Sequence, residues 1–273
     1  DSMDLQGENR ALVRWGLEVL RRTRRVGLRV LAEQAGLAIS TVTAEEVTFK
    51  LIPRLNAAGR VRHASLALEL LRAEDQGAAR RLAMELDAAN SERKLLTEEI
   101  LEDVTRTLPA DIPPILFVAG PWPLGILGIL ASRLAEERCR PTVAVAVRDD
   151  ECIASMRGDG ADIVGLVREA ESLLTRFGGH QGAAGFSFPR SALPEVEAFF
   201  STHLPLAESG ASSDLVLDCP LPLPLITTDL TRALDVLEPH GNGNERPVFL
   251  VPGVSVVETR VVGKRGEHLR CVV

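Results

Sequence analysis

Tyrosine is absent from the 273-residue sequence, and aromatic residues amount to only 4%. Stacking platforms are therefore few, which weighs against a protein that holds nucleobases by aromatic stacking alone. The four cysteines, Cys139, Cys152, Cys219 and Cys271, are far apart and form no CxxC pair. A zinc site is not indicated, and reduced thiols in a cytoplasmic protein are the expectation. No apolar run reaches the roughly 18 residues that would suggest a membrane span, and no basic-then-apolar leader opens the chain. Positive charge is in deficit: 31 Lys and Arg stand against 38 Asp and Glu, a net charge of −7. That balance does not suggest a nucleic-acid binder, although a local basic groove can still hold phosphates. GxGxxG, Walker, HExxH and GxSxG patterns and the kinase motif set are all missing. So is the convergence of carboxylates and histidines that metal-assisted phosphodiester cleavage needs.

What is present is 45% hydrophobic and 25% charged residues, enough for two compact units and a partial third. Apolar spacing predicts helices over 8–24, 28–36 and 63–73, with a helix start at Thr43-Ala44-Glu45-Glu46-Val47. From Gln76 to about Leu108 one stripe of Leu82, Leu86, Ala89, Leu96, Ile100 and Val104 predicts a rod of about 45 Å that joins or braces two units. Pro109, Pro113 and Pro114 end it and mark a domain boundary. The texture then turns α/β. Buried strands at 115–119 and 142–147 flank a helix from Gly125 to Arg138, a spacing that implies parallel pairing. A strand over 152–156, a helix over 162–175, a short strand at 186–188 and a helix over 191–203 follow. Residues 207–213 read as a linker. Beyond it come a strand at 214–218, a helix near 228–238 and strand-like runs at 248–258 and 260–273. Asp1-Ser2-Met3-Asp4 does not resemble a natural start, so the chain reads as a piece of a longer protein.

Three segments carry groups suited to phosphate. Arg54, Asn56, Arg60, Arg62 and His63, with Lys50 before them, concentrate cationic side chains in an acidic protein. The arginine fork matches phosphate oxygens, and the alternative is a solvated helix end paired with acids. Ser155-Met156-Arg157-Gly158 follows a strand, where ligands of α/β units commonly bind. Its hydroxyl and guanidinium, two residues apart in extended chain, point the same way and suit a terminal phosphate. Phe177-Gly178-Gly179-His180-Gln181-Gly182-Ala183-Ala184-Gly185 leaves backbone amides uncovered around one imidazole. It fits either an anion-cradling turn or a tight structural turn with a packed histidine. Gly125-Ile126-Leu127-Gly128 opens a helix after a strand and reads as close packing of helix on strand rather than as a nucleotide loop. His203, His240 and His268 stand alone and read as surface or structural.

Taken together the motifs resemble the RecJ exonucleases of the DHH phosphoesterase superfamily. The resemblance runs through Gly7-Glu8-Asn9-Arg10, Arg54-Leu55-Asn56-Ala57-Ala58-Gly59-Arg60, Gly125 to Leu134, Arg176 to Gly185, and Leu237-Glu238-Pro239-His240-Gly241-Asn242-Gly243-Asn244 before Pro247-Val248-Phe249. It covers nearly the whole chain. It implies an α/β protein: the end of a DHH catalytic domain with connecting helices over 1–75, and a long linker helix over 76–108. A DHH-associated domain with a mixed sheet would follow over 109–206, and the start of a β-rich OB-fold over 207–273. The implied activity is Mn²⁺- or Mg²⁺-dependent 5′-to-3′ exonuclease action on single-stranded DNA in repair and recombination, with this chain mainly holding the DNA. Single-stranded DNA, a single-strand-binding protein and a helicase are the implied partners. His180 would be catalytic, and Arg54, Asn56, Arg60, Ser155, Arg157, Gly178, Gly179 and His180 would bind DNA or phosphate. Asp1 resembles the last aspartate of the family's metal cluster, whose other ligands would lie upstream. Trp122-Pro123-Leu124 replaces the Trp-His-Pro of many members, so no histidine role is carried over there. Two alternatives remain: a short-oligonucleotide or dinucleotide phosphodiesterase of the same superfamily, and a non-catalytic single-stranded-DNA-binding module.

Overall fold

The computed structural model describes residues 3–109, 113–158, 162–180, 182–203, 215–263, 266 and 268–273. Asp1, Gln181 and the expected linker at 207–213 lie outside them. The chain forms two compact units, one from residues within 23–40 and 46–210, the other from 1–22, 41–45 and 211–273.

In chain order the helices are α1 (Gly7–Arg21), α2 (Val26–Gln34), α3 (Ala44–Glu46), α4 (Ile52–Val61), α5 (Ser65–Arg72), α6 (Gln76–Thr107), α7 (Leu124–Arg138), α8 (Ile163–Glu169), α9 (Leu193–His203) and α10 (Thr228–Asp235). A π-helical turn, Val47–Leu51, joins α3 to α4. The strands are β1 (Leu116–Gly120), β2 (Thr142–Val147), β3 (Glu151–Arg157), β4 (Arg176–His180), β5 (Ala183–Pro189), β6 (Cys219–Pro220), β7 (Phe249–Leu250), β8 (Glu258–Val262) and β9 (His268–Val272).

The larger unit has a helical layer and an α/β layer, and α6 belongs to both. Asp75 caps α6 by accepting the Ala78 N–H at 2.6 Å. Ala79, Ala83 and Leu86 pack with Val30, Leu31, Ala58 and Leu70 of the helical layer. Further along the same helix, Ile100 and Val104 pack with Leu116, Ile126, Leu130 and Ala146 of the α/β layer. The predicted rod is therefore a packed brace within one unit.

The sheet has the order β1-β2-β3-β5-β4. β1 and β2 are parallel, as the strand–helix–strand spacing predicts, and the remaining pairs are antiparallel. Helix α7 covers one face through Ile126, Leu127, Leu130 and Leu134. The other face carries Cys152, Ala154, Met156, Ala184, Phe186 and Phe188 against Ile163, Val167, Val196 and Phe200. β2 is apolar from Val143 to Val147, as fits a strand with both faces covered. β3 alternates, so Ser155 and Arg157 lie opposite the Met156 face.

Two predicted elements differ. The helix over 162–175 stops at Glu169 with a 3₁₀ turn at Glu171–Leu173, because the chain must next enter β4, where the Thr175 N–H donates to the Ser187 carbonyl at 2.8 Å. The glycine-rich run around His180 is a β-hairpin arm rather than a cradle-shaped turn: Gly178 and Gly179 are paired in β4 with Gly185 and Ala184 of β5.

In the smaller unit, α1 meets the loop of the Leu237–Asn244 motif. Arg10 donates to the Leu237 carbonyl at 2.7 Å, and the Leu5 N–H to the Asn242 carbonyl at 2.6 Å. Asn244 closes the loop by donating to the Pro239 carbonyl at 2.8 Å. The expected strand at 214–218 falls later, at β6. The runs at 248–258 and 260–273 shorten to β7, β8 and β9, with a turn at Pro252-Gly253 dividing the first of them.

Candidate nucleic-acid interface

The site grows from the register of three strands. Ser155 of β3 is paired with Gly185 of β5, which is paired with Gly178 of β4; likewise Arg157, Ala183 and His180 form one row. Residues directly opposite one another share a face, so Ser155, Arg157, Gly185, Ala183, Gly178 and His180 all lie on the α7 side of the sheet. Gly179, in the row of Ala184 and Met156, belongs to the opposite side. Gly178, Gly179 and His180 are exposed, and a side chain added at Gly178 would meet nothing within 4 Å. The β5–β4 surface beyond α7 is thus a floor of small residues with an imidazole on its rim.

Arg157 closes the α7 side of this floor. Its Nη1 donates to Ser155 Oγ at 3.0 Å and to the Met156 carbonyl at 2.8 Å. Gly128 of α7 makes room for it, since a Cβ there would lie 3.1 Å from Arg157 Nη2. Gly125, one turn earlier, serves a different approach. A Cβ at Gly125 would collide with the Arg60 backbone, so α4 and α7 cross helix on helix, not helix on strand. At this crossing Arg60 Nη1 donates to the Gly125 carbonyl at 2.8 Å.

Arg60 does not stand alone. Burial lowers the pKa of Arg157, and the positive charge of Arg60 lowers it further. Burial likewise lowers the pKa of Arg93 on α6, followed by the charges of Arg60 and of Arg133 on α7. Among the described residues, none of these four arginines forms an ion pair with a carboxylate. Guanidiniums gathered without counter-charge repel one another, and an anion would relieve that repulsion.

The other predicted residues separate from this group. Arg54 is a brace: its Nε donates to Asp87 of α6 at 2.8 Å and its Nη1 to the Lys50 carbonyl at 2.7 Å. Arg62 pairs with Glu92 at 2.7 Å, and His63 Nδ1 lies 2.9 Å from Ser65 Oγ. Asn56 is exposed one turn before Arg60, on the same side of α4. Asp1 lies outside the described residues, among which no group of three or more His, Cys, Asp or Glu is placed to hold a metal ion. Sequence reasoning missed Arg93 and Arg133. Both sit in helices of mixed charge, where an arginine carries no signal of its own. The glycines of α7 signalled close packing, but of helix on strand, so the approach of α4 and its charge was not indicated.

Comparison with known proteins gives a consistent picture. The DHHA1 domain model matches residues 115–203, and the RecJ OB domain model matches residues 217–273. The single-stranded-DNA-specific exonuclease RecJ of Thermus thermophilus is 36% identical over 269 residues, which is 98% of this chain and 39% of that protein. The Bacillus subtilis protein of the same name is 30% identical over 283 residues, 100% of this chain and 36% of that protein. The crystal structure of Thermus thermophilus RecJ with Mg²⁺ matches with a TM-score of 0.85 and 35% identity, over 99% of this chain and 42% of that one. The chain thus spans well under half the length of these relatives.

Proposed function

Since this chain belongs to the RecJ family of the DHH superfamily, we propose that it is the DNA-holding part of a single-stranded-DNA-specific exonuclease working from the 5′ end. One observation carries the reading: Ser155, Arg157, Gly178 and His180 share one sheet face beside arginines that lack carboxylate partners. Ser155 and Arg157 receive the 5′-terminal phosphate. The strand then crosses the glycine floor, where backbone can approach backbone, and His180 contacts the phosphate at the scissile bond. Asn56 and Arg60 brace or touch the strand from α4. Arg54 acts through its pair with Asp87 by holding α4 on α6. Residues 1–75 correspond to the end of the catalytic domain with connecting helices, 76–108 to the linker helix, 109–206 to the substrate-binding domain and 207–273 to the start of the OB-fold. The RecJ OB match over 217–273 favours a long strand over a dinucleotide as substrate.

The relatives' structures with Mg²⁺ and Mn²⁺ support use of a divalent ion. The described residues do not fit such a centre, since no cluster of three suitable ligands occurs among them; Asp1 is a proposed ligand outside them. What the chain itself supplies is positioning and fixed positive charge where phosphate charge must be borne. A role in repair and recombination, in the cytoplasm, alongside a single-strand-binding protein and a helicase completes the proposal.

Fluorescence anisotropy with the 273-residue chain tests it. A 5′-phosphorylated single strand should bind weakly and better than its 5′-hydroxyl counterpart or a blunt duplex. Added Mn²⁺ should produce no hydrolysis. Absence of binding, or robust Mn²⁺-dependent cleavage by this chain, would overturn the reading.

A further inference from the structure

The proposed site accounts for Arg157 and Arg60 but leaves Arg93 and Arg133 without a task. Arg93 is the more telling of the two. Its Nε is buried with no hydrogen-bond partner, while its Nη2 donates to Asn90 Oδ1 at 3.1 Å. A buried donor normally has a partner, and a half-buried charge a counter-charge. Here the charges that act most on Arg93 are two more arginines: Arg60 on α4, whose carbonyl edge lies against Gly125, and Arg133 on α7. The geometry that gathers them is the junction of three helices: α4 crosses α7 at Gly125, where Arg60 Nη1 donates to the Gly125 carbonyl at 2.8 Å, and α6 packs on α7 through Ile100 and Leu130. The charge of Arg60 acts on both Arg157 and Arg93, and that of Arg133 on Arg93. The acids near this stretch are engaged elsewhere: Glu92 pairs with Arg62 and Asp87 with Arg54.

We infer that Arg93 and Arg133, with Arg60 shared between them and Arg157, form a second phosphate subsite at the α4–α6–α7 junction, which holds a phosphodiester group next to the one at Ser155 and Arg157. This deepens the proposed function and rests on it. Two subsites that share one guanidinium make the site read a run of phosphates rather than one terminal group. Like charges gathered on neighbouring helices repel one another, and an anion bound among them relieves that repulsion. Because it binds the folded state, mass action then raises the melting temperature.

The test uses the full chain with three variants, Arg93→Gln, Arg133→Gln and Arg80→Gln. The last is a control, because Arg80 lies on the far part of α6 and pairs with Glu33 of α2. Anisotropy is read with a 5′-phosphorylated oligothymidine across a salt series, and melting temperature with and without inorganic pyrophosphate. Arg93→Gln and Arg133→Gln should each weaken DNA binding by about tenfold and flatten the log-affinity against log-salt slope by about 0.7 for each phosphate no longer neutralised. Stabilisation of Arg93→Gln by pyrophosphate, measured against its own melting temperature without the anion, should shrink. If Arg93→Gln does not fold, the exposed Arg133 still decides the matter. Wild-type affinity and slope in every variant that folds would overturn the subsite alone. No DNA binding by wild type would instead overturn the proposed function beneath it.

Discussion

Gly125 and Gly128 look interchangeable in sequence, one helical turn apart at the start of α7, yet the structure gives them different tasks. A methyl group at Gly125 collides with the backbone of Arg60, which cannot move without prising α4 from α7. A methyl group at Gly128 presses on the tip of Arg157, a flexible side chain, and makes ordinary contact with Ser155 Oγ. Gly125→Ala should therefore lower the melting temperature by several degrees, because overpacking of a rigid contact typically costs about 1–3 kcal/mol. Gly128→Ala should keep or slightly raise stability, since alanine favours helix over glycine by about 1 kcal/mol, while weakening binding of 5′-phosphorylated DNA by displacing the guanidinium. Paired melting and binding curves check this, and equal effects of the two substitutions would contradict it. The Ser155 and Arg157 pair was legible in the sequence because a period of two needs no tertiary information. Arg93 was not, because its meaning lies in which arginines approach from α4 and α7, and no local spacing encodes that. The proposed contact of His180 with the phosphate at the scissile bond is tested by turnover: in the complete protein His180→Ala should lower the cleavage rate strongly, and an unchanged rate would remove it from the site.

At the scale of elements, the hairpin of β4 and β5 was only half legible. Four glycines and two alanines between Arg176 and Gly185 announce close backbone approach, but they also weaken any strand signal, and a turn was the natural reading. The strand forms because Phe177 packs partly into the sheet's core and β5 offers a full edge to pair with. Of the two glycines of β4, Gly178 lies on the α7 side as part of the floor. Gly178→Val tests that directly. The position has open space above it, and β-branched residues suit strands, so the fold should persist with unchanged far-UV circular dichroism. The added bulk should nevertheless obstruct the strand and lower single-stranded-DNA affinity by about tenfold, the scale of one phosphate hydrogen bond. An unaffected affinity would move the DNA path off β4. Helix α6 shows the opposite balance: its length and stripe were plain in the sequence, whereas its partners were not, because one stripe can face any layer that is apolar enough.

On the scale of the whole molecule, a net charge of −7 and a cluster of uncompensated arginines are two sides of one arrangement. With a net negative charge the chain has little long-range attraction for a polyanion, so affinity would depend on local clusters of positive charge such as this one. The family and the mixed α/β class could be read from motifs because those motifs are tied to backbone requirements. How the C-terminal strands complete their sheet could not: β8 and β9 pair with each other and remain exposed, with Val261, Leu269 and Val272 uncovered among the described residues. Alternation predicts a strand but does not name what covers it. If the OB-type region matched over 217–273 holds the same DNA as the α/β unit, the two act as linked modules whose joint affinity exceeds either one. Binding of 5′-phosphorylated oligothymidines should then strengthen in two stages as length increases, first when the strand fills the arginine track and again when it reaches the second unit. Higher salt should suppress the second stage as well as the first, since each phosphate engaged releases counterions. A single plateau at short length would mean that the α/β unit works alone, and that the C-terminal region of this chain makes no contact with the strand.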